Sequence, residues 1–355
     1  MSPARICILP RLSGVGGMVS FRARLSSALI RRGIQVSADL GDEPYRSILV
    51  IGGTRQLWGL WRARRQGVRI VQRLDGMNWM HRLRPVGARR LGARRLGARH
   101  FLRAEYGNLL LSFIRDHLAD RVVYQSEFAR RWWERQYGPA RAPATVVHNG
   151  VDLQEYSPEG PQNRPADCYR LLLVEGSLMG GYEIGLQVAV SLVEDLNHTH
   201  GHQLNKPVEL MVVGRVAPEV QAHWEARARV RIHWVGLLPG GRIPEVDRSA
   251  HLLYSADVNA ACPNSVIEAL ACGLPVLAYA TGALPELVMG QAGRIVSYGG
   301  DPWRLDPPDI GALSQAAVEI LTDQEPFRQA ARQRAEAAFD LERTVAGYLG
   351  VLLDS

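Results

Sequence analysis

Cysteines and long hydrophobic runs are scarce in this chain, and each absence excludes a class of protein. The 355 residues contain four cysteines, Cys7, Cys168, Cys262 and Cys272, whose spacing fits neither a zinc site nor a disulfide framework. Two of them lie in predicted strand or helix cores, so we expect reduced, buried thiols in a cytoplasmic protein. No apolar run approaches the roughly 20 residues of a membrane helix, and the apolar part of residues 1–10 is too short for a signal peptide.

Lysine is nearly absent as well. Lys206 is the single lysine in the sequence, so the net charge of +7 comes almost entirely from arginine. Hydrophobic residues make up 46% of the chain and charged residues 22%, which is typical of a soluble globular protein. We expect no nucleic-acid binding, because no recognition module accompanies the positive charge.

Apolar strands alternate with helical segments in two successive α/β halves. The first half opens with a strand at 5–9, a glycine loop and a helix that ends at Gly33, which together make one βαβ unit. A proline- and glycine-rich run at 157–165 predicts a linker between the halves. Each half is typical of a doubly wound parallel sheet. The predicted parts are an N-terminal domain, a C-terminal domain and a final amphipathic helix, at 1–150, 151–335 and 336–355.

The most informative stretch, residues 263–278, combines a loop, a helix, a turn and the start of a buried strand. Pro263 suits the first turn of a helix, and Gly273 suits its left-handed end. Backbone N–H groups at such a helix start attract anions, phosphates above all. One turn in, the Glu268 carboxylate could accept both hydroxyls of a ribose. In a second interpretation, Ser265 and Glu268 form a capping box that needs no ligand.

This stretch resembles the donor-binding motif of the GT-B glycosyltransferases, specifically of retaining family 4. That motif reads Glu, seven residues, Glu, and then Ala-x-Ala-Cys-Gly-x-Pro-Val, and Glu268 matches the second Glu. Ala260 stands in the place of the first Glu, and the wording at 262–264 resembles a subset of members that lack it. Other segments are similar to the family in order along the chain: Gly16 and Gly17 before a helix, Asn-Gly-Val-Asp at 149–152, and Pro-Glu at 285–286.

The resemblance implies the α/β GT-B fold, in which two Rossmann-like domains face a central cleft and the last helix crosses back to the first domain. It implies retaining transfer of a sugar from a nucleotide-diphosphate donor to a hydroxyl acceptor, such as a glycan, a lipid-linked or a polysaccharide intermediate. The nucleotide sugar is a co-substrate, and the family needs no metal and no further cofactor. The protein's task is then to hold the diphosphate, stabilise its growing charge and orient the acceptor.

One departure from the family concerns the diphosphate. Relatives usually hold it with an Arg and a Lys after the first strand of the second domain, but here that place contains neither, and an ionised Glu175 would oppose an anion. We expect other groups to compensate, with Asn264 also binding the sugar hydroxyls. For Arg215 the alternative is a solvated surface position. The expected substitutes are Asn264, Ser265, Ser177, the backbone of Gly180 and Gly181, and Arg215.

In the first domain, three residues are candidates for the cleft. The small residues Gly16 and Gly17 would let backbone N–H groups approach a phosphate or a sugar. Asp75 follows a predicted strand, so it lies at the edge of the sheet where ligands bind, and it could orient the acceptor or the 6-hydroxyl of the sugar. The alternative is that Asp75 caps its own loop.

A basic repeat is the most unusual local feature. Gly-Ala-Arg-Arg-Leu occurs at 87–91 and at 92–96, and the segment from Arg82 to Arg103 contains eight arginines and no acid. A period of five does not match the 3.6 residues of a helical turn. We expect this segment to touch an anionic membrane at its inner face, or a phosphorylated acceptor. The alternative is a repeat expansion in a tolerant surface loop.

Two other functions fit the same residues. The missing diphosphate cations leave room for a GT-B epimerase that acts on a nucleotide sugar, or for a non-catalytic protein that binds a sugar nucleotide or a glycan. Two features argue against a dinucleotide oxidoreductase: the loop at 14–17 lacks the full glycine fingerprint, and no acidic residue is suitably placed after the second strand.

Overall fold

A computed structural model of the protein describes residues 4–14, 16–83, 98–179 and 183–353. Contacts between residues divide this part of the chain into two compact units. The first unit comprises the described residues up to Gly150 together with those from Leu341 onward, and the second runs from Val151 to Asp340.

The first unit is a parallel six-stranded sheet in the order β2-β1-β3-β4-β5-β6. Short runs of Val, Ile and Leu form its central strands, which are buried on both faces as in other parallel sheets. Its elements are β1 (Arg5–Leu9), α1 (Gly17–Arg31), β2 (Gln35–Ser37), β3 (Ser47–Ile51), α2 (Leu57–Arg65), β4 (Arg69–Leu74), α3 (Ala98–Phe113), β5 (Arg121–Tyr124), α4 (Glu127–Tyr137) and β6 (Ala144–Val146). A π-helical turn at Ile114–Leu118 continues α3, and a 3-10 turn covers Met80–Leu83.

Helices cover both faces of this first sheet. On one face, α1 packs with the C-terminal helix, where the rings of Phe21 and Tyr348 lie 5.1 Å apart between their centres. An ion pair between Arg32 and Glu342 adds to that contact. On the other face, α2 packs beside the π-helical turn, with Leu60 and Ile114 in one apolar cluster. The chain's last helix therefore completes the core of the first unit.

The second unit is also a parallel six-stranded sheet, in the order β12-β11-β10-β7-β8-β9. The chain adds β8 and β9 on one side of β7 and then returns to add β10, β11 and β12 on the other side. The strands are β7 (Tyr169–Ser177), β8 (Val208–Arg215), β9 (Ile232–Gly236), β10 (Leu252–Tyr254), β11 (Val276–Tyr279) and β12 (Gly293–Val296). The helices from here to the end of the chain are α5 (Glu183–Thr199), α6 (Gly201–Leu204), α7 (Pro218–Arg227), α8 (Ile243–Ser249), α9 (Asn264–Ala271), α10 (Leu284–Leu287), α11 (Ile310–Thr322), α12 (Gln324–Ala338) and α13 (Leu341–Leu353), with 3-10 turns at Gly240–Arg242 and Gly290–Ala292.

The predicted α/β class with two doubly wound sheets is confirmed. All four cysteines are free, and Cys7, Cys262 and Cys272 are buried, as expected. The sequence did not predict the edge strands β6 and β12, which are only three and four residues long. The second unit ends at Asp340, five residues beyond the boundary at residue 335 that the sequence predicts.

Candidate functional site

The second sheet has a switch point between β7 and β10, where the direction of strand addition reverses. In doubly wound sheets, ligands bind outside the carboxyl ends of the strands at such a point. Here β7 ends with Glu175, Gly176 and Ser177, and β10 is followed directly by the loop that leads to α9. The residues singled out in the second half of the sequence therefore meet at one edge of one sheet.

Ser177 and Arg215 lie side by side at this edge. They are register partners at the ends of β7 and β8, and the backbone N–H of Leu178 donates to the carbonyl of Arg215 over 2.9 Å. The Arg215 side chain is exposed, and within the described ranges its guanidinium has no hydrogen-bond or ion-pair partner. The Ser177 hydroxyl and the Arg215 guanidinium are thus on adjacent strand ends, near the place where the family usually has the Arg and Lys that hold the diphosphate.

Helix α9 begins at Asn264, with Pro263 as its N-cap residue and no side-chain capping bond. The capping box of Ser265 and Glu268 is therefore not formed, because Ser265 is the second helical residue rather than the N-cap. The sequence predicts Pro263 in the first turn of the helix, but Pro263 directly precedes that turn. Gly273 ends the helix with φ of 67°, as expected for a left-handed cap.

A tight turn supports the loop before α9. The N–H of Ala283 donates to the carbonyl of Ala260 over 2.8 Å, and the N–H of Asn259 donates to the Thr281 hydroxyl over 3.4 Å. Gly282, at φ 59°, lies so close that an added Cβ would be 2.5 Å from the Ala260 carbonyl oxygen. The loop is thus fixed by backbone contact, and Ala260 contributes a carbonyl where relatives have a carboxylate.

Glu268 lies in the second turn of α9, only 8% exposed. Its neighbour on α8 is Asp247, which is 1% exposed. Burial, and next the charge of Glu268, raise the pKa of Asp247 well above its ordinary range. The raised pKa favours the neutral form of Asp247 beside Glu268.

A second pair of carboxyl groups, Glu175 and Asp257, lies at the switch point. Both are half-buried. Burial, followed by the charge of Asp257, raises the pKa of Glu175 to about 8, and burial raises the pKa of Asp257 to about 7. The raised pKa favours the protonated form of Glu175, which can donate a hydrogen bond. A protonated Glu175 carries no negative charge and would not oppose an anion, unlike the ionised Glu175 assumed from the sequence. The sequence could not reveal that Glu175 lies half-buried beside Asp257.

We expect this pair to make stability depend on pH. Both pKa values are higher in the folded chain than the ordinary 4.5 and 3.8, so the unfolded chain loses these protons first as pH rises. The stability that this pair contributes should therefore fall as pH rises from about 4 to about 8. Relative to the wild-type chain, the melting temperature of the double variant Glu175→Gln, Asp257→Asn should rise across this range. Thermal melts across this range measure both slopes. Glu319→Gln, at an exposed ion pair with Arg294, is the control; equal slopes in all three proteins would contradict the assignment.

The first unit holds the other predicted residues. Gly16 is the N-cap of α1 at φ 145°, without a side-chain cap, and Gly17 is the first helical residue. Asp75 directly follows β4; its backbone carbonyl accepts from Trp133 Nε1 over 2.7 Å. Burial raises the pKa of the Asp75 carboxyl, while the positive charge of Arg73 opposes that rise. Gly16 and Gly17 lie after β1 and Asp75 after β4, at the carboxyl edge of the first sheet.

Arg73 is a further residue of this edge, for which the sequence suggested no role. It is 1% exposed, its guanidinium lies 3.8 Å from the centre of the Phe21 ring, and its Nη2 donates to Asn149 Oδ1 over 2.9 Å. Asn149 in turn donates to Gln125 over 3.2 Å. The signal in the sequence is a pair of polar residues, Gln72 and Arg73, in a strand that also contains Ile70, Val71 and Leu74.

Two further predictions concern a metal ion and the basic repeat. In the described part, no group of three His, Cys, Asp or Glu side chains could hold a metal ion. Most of the basic repeat, with Gly180 and Gly181, lies outside the described residues. Where it is described, Arg82 pairs with Glu105 over 2.6 Å, and Arg99 and Arg103 are exposed.

Family models match both halves of the chain. One, described as Glycosyltransferase Family 4, covers residues 15–155, and another, described as Glycosyl transferases group 1, covers residues 171–323. Among curated proteins, 2-deoxystreptamine N-acetyl-D-glucosaminyltransferase from Streptomyces fradiae is 29% identical over 99 residues. That match spans 28% of this chain and 22% of the relative's length.

Solved structures share the fold over nearly the whole chain. Sucrose-phosphate synthase from Thermosynechococcus elongatus has a TM-score of 0.70 at 16% identity, covering 97% of each chain. WaaG, a glycosyltransferase involved in lipopolysaccharide biosynthesis, has a TM-score of 0.69 at 15% identity, covering 99% of this chain and 100% of that one. Anabaena HepE, solved in complex with UDP and glucose, has a TM-score of 0.68 at 15% identity, covering 98% of this chain and 99% of that one.

The two parallel sheets and these structural relatives define the GT-B fold. The two family models together cover most of the chain, so the chain is a GT-B glycosyltransferase whose first half matches the family 4 model and whose second half matches the group 1 model.

Proposed function

We propose that this glycosyltransferase moves a sugar, with retention of configuration, from a nucleotide-diphosphate donor to a hydroxyl acceptor. The observation that carries the proposal is the uncapped start of α9, with the buried Glu268 one turn in, at the carboxyl edge of the second sheet. The complex of HepE with UDP and glucose supports a nucleotide-sugar donor.

Each donor group has a proposed partner. Glu268 accepts the ribose hydroxyls, while the N–H groups of Asn264 and Ser265 face the diphosphate. Ser177 and Arg215, paired at the ends of β7 and β8, supply a hydroxyl donor and a positive charge. A protonated Glu175 adds a neutral donor in the place of the usual cation. In this account no metal and no cofactor beyond the nucleotide sugar take part.

The acceptor side is assigned to the first unit. We infer that backbone N–H groups at Gly16 and Gly17 contact the bound substrates and that Asp75 orients the acceptor or the 6-hydroxyl of the sugar. The acceptor class is a glycan, a lipid-linked intermediate or a polysaccharide intermediate. The proposed location is the cytoplasm, with a peripheral contact of Arg82–Arg103 at the inner face of an anionic membrane. In the described residues, no helix is long and apolar enough to cross a membrane.

Donor turnover without an acceptor tests the function. The protein is incubated with uridine, guanosine and adenosine diphospho-sugars, and NMR follows nucleoside diphosphate release and the anomer of the released sugar. Slow release with the donor's own anomeric configuration is expected. An isomerised donor would favour the epimerase instead, and tight binding without release would favour a non-catalytic protein.

Asn264→Ala tests the proposed catalytic part of this site. Because one neutral hydrogen bond to a sugar hydroxyl is removed, turnover should fall about fivefold to tenfold. The rate of donor hydrolysis measures the effect, and Asn163→Ala, at an exposed linker position, is the control. Unchanged turnover in Asn264→Ala would count heavily against its role.

A further inference from the structure

Helix α3 presents an apolar stripe to solvent. Leu102 is 65% exposed, Tyr106 53%, Leu109 60% and Phe113 45%. Their spacing of four, three and four residues places all four on one face of a helix. Leu110 on the same helix and Ile114 on its π-helical turn pack instead into an apolar cluster of the first unit. The stripe is therefore not part of the core.

The neighbouring helix α2 also exposes two tryptophans. Trp58 is 72% exposed and Trp61 38%, and their rings stack with centres 4.6 Å apart. The two helices are neighbours, because Arg64 of α2 donates to the carbonyl of His117 over 2.6 Å, and the His117 ring lies 5.0 Å from Phe113. We name this outer face the aromatic surface; it consists of Trp58, Trp61, Leu102, Tyr106, Leu109 and Phe113.

Positive charge borders the aromatic surface. On α2, Arg62 and Arg65 are exposed, and the Arg65 guanidinium lies 4.7 Å from the centre of the Trp61 ring. On α3, Arg99 and Arg103 are exposed. The single acidic residue within the two helices, Glu105, is paired with His81 and Arg82. Arginines bordering Trp, Tyr, Phe and Leu are the pattern of helices that lie in the interface of an anionic bilayer.

We propose that the aromatic surface inserts into the headgroup region of an anionic lipid bilayer, with the bordering arginines on lipid phosphates. A second copy of this chain is a poorer occupant, because two such faces would bring like charges together. The proposal extends the membrane contact proposed for Arg82–Arg103, with which it shares Arg99, Leu102 and Arg103, to exposed side chains of α2 and of the rest of α3, all of them described residues. It rests on the proposed function only in that a lipid-linked acceptor would lie at the same membrane.

Vesicle sedimentation of the full chain tests the proposal. The protein should pellet with phosphatidylglycerol vesicles and remain in solution with phosphatidylcholine vesicles, and salt should weaken the binding. The double variant Trp58→Ser, Leu109→Ser should reduce partitioning about tenfold or more, because two large apolar side chains no longer insert. Ile30→Ser is the matched control, since Ile30 is also 60% exposed but lies on α1 at the opposite face of the sheet.

Three results would overturn the proposal: no binding of the wild-type chain to anionic vesicles, equal binding of the double variant, or an equal loss in Ile30→Ser. Sedimentation velocity without vesicles adds a fourth, since a dimer that the double variant abolishes would assign the surface to a second copy. The rise in melting temperature with nucleotide sugars, measured on the same proteins, distinguishes a failure of the donor site from a failure of the membrane surface. The double variant should show the same rise in melting temperature as the wild-type chain. If none of the proteins shows a rise, the proposed donor site is wrong, but the membrane proposal is not affected.

Discussion

Replacing Glu268 with glutamine is expected to weaken nucleotide-sugar binding by about tenfold to a hundredfold, with the fold retained. A carboxylate offers two charged acceptors to a vicinal diol, and hydrogen bonds to a charged group contribute about 1.5–3 kcal/mol each. Glutamine keeps the shape of the side chain, so it leaves the packing of a residue that is 8% exposed almost unchanged. Isothermal titration calorimetry with the best donor measures the dissociation constant.

The design of this experiment separates binding from folding. Because the charge of Glu268 helps to raise the pKa of Asp247, Glu268→Gln should also lower that pKa without exposing Asp247. Glu319→Gln, at an exposed position on α11, should bind the donor like the wild-type protein. Wild-type affinity in a folded Glu268→Gln variant would remove Glu268 from the ribose site.

Replacing Gly282 with alanine is expected to destabilise the second unit by about 2–5 kcal/mol. An L residue at φ 59° costs about 1 kcal/mol, and the new Cβ would lie 2.5 Å from the carbonyl oxygen and 2.6 Å from the nitrogen of Ala260. Backbone atoms cannot rotate away as a side chain can, so the loop before α9 must move. Urea unfolding followed by circular dichroism measures the loss.

Gly290 provides a matched control for this substitution. Its φ is 60°, and an added Cβ would meet nothing within 4 Å. Gly290→Ala should therefore cost only the backbone term, about 1 kcal/mol, and the difference between the two variants isolates the collision with Ala260. Equal losses in both variants would mean that the turn at Gly282 does not brace the donor loop.

The sequence predicted most strands because apolar runs such as Ser47–Ile51 are buried on both faces of a parallel sheet. The edge strand Ala144–Val146 escaped prediction because three partly exposed residues carry no such signal. Strand β10 ends at Tyr254, and the loop that follows contains Asn259, which has φ of 61°.

The site was predictable only where its residues are close in sequence. The helix start and Glu268 lie in one short segment, so their proximity follows from helical geometry. The contact of Ser177 with Arg215 depends on the register of two strands, which no local pattern specifies. The raised pKa values of Glu175 and Asp257 depend on burial at a switch point formed by strands far apart in the chain.

A thermal-shift screen tests the central claim, that the second unit binds a nucleotide-diphosphate sugar, most directly. A ligand that binds only the folded chain stabilises it by about 2.7 kcal/mol at a hundredfold excess over its dissociation constant, so a specific donor should raise the melting temperature by several degrees. We predict such a shift with at least one uridine, guanosine or adenosine diphospho-sugar. No shift with any of the three classes would contradict the account.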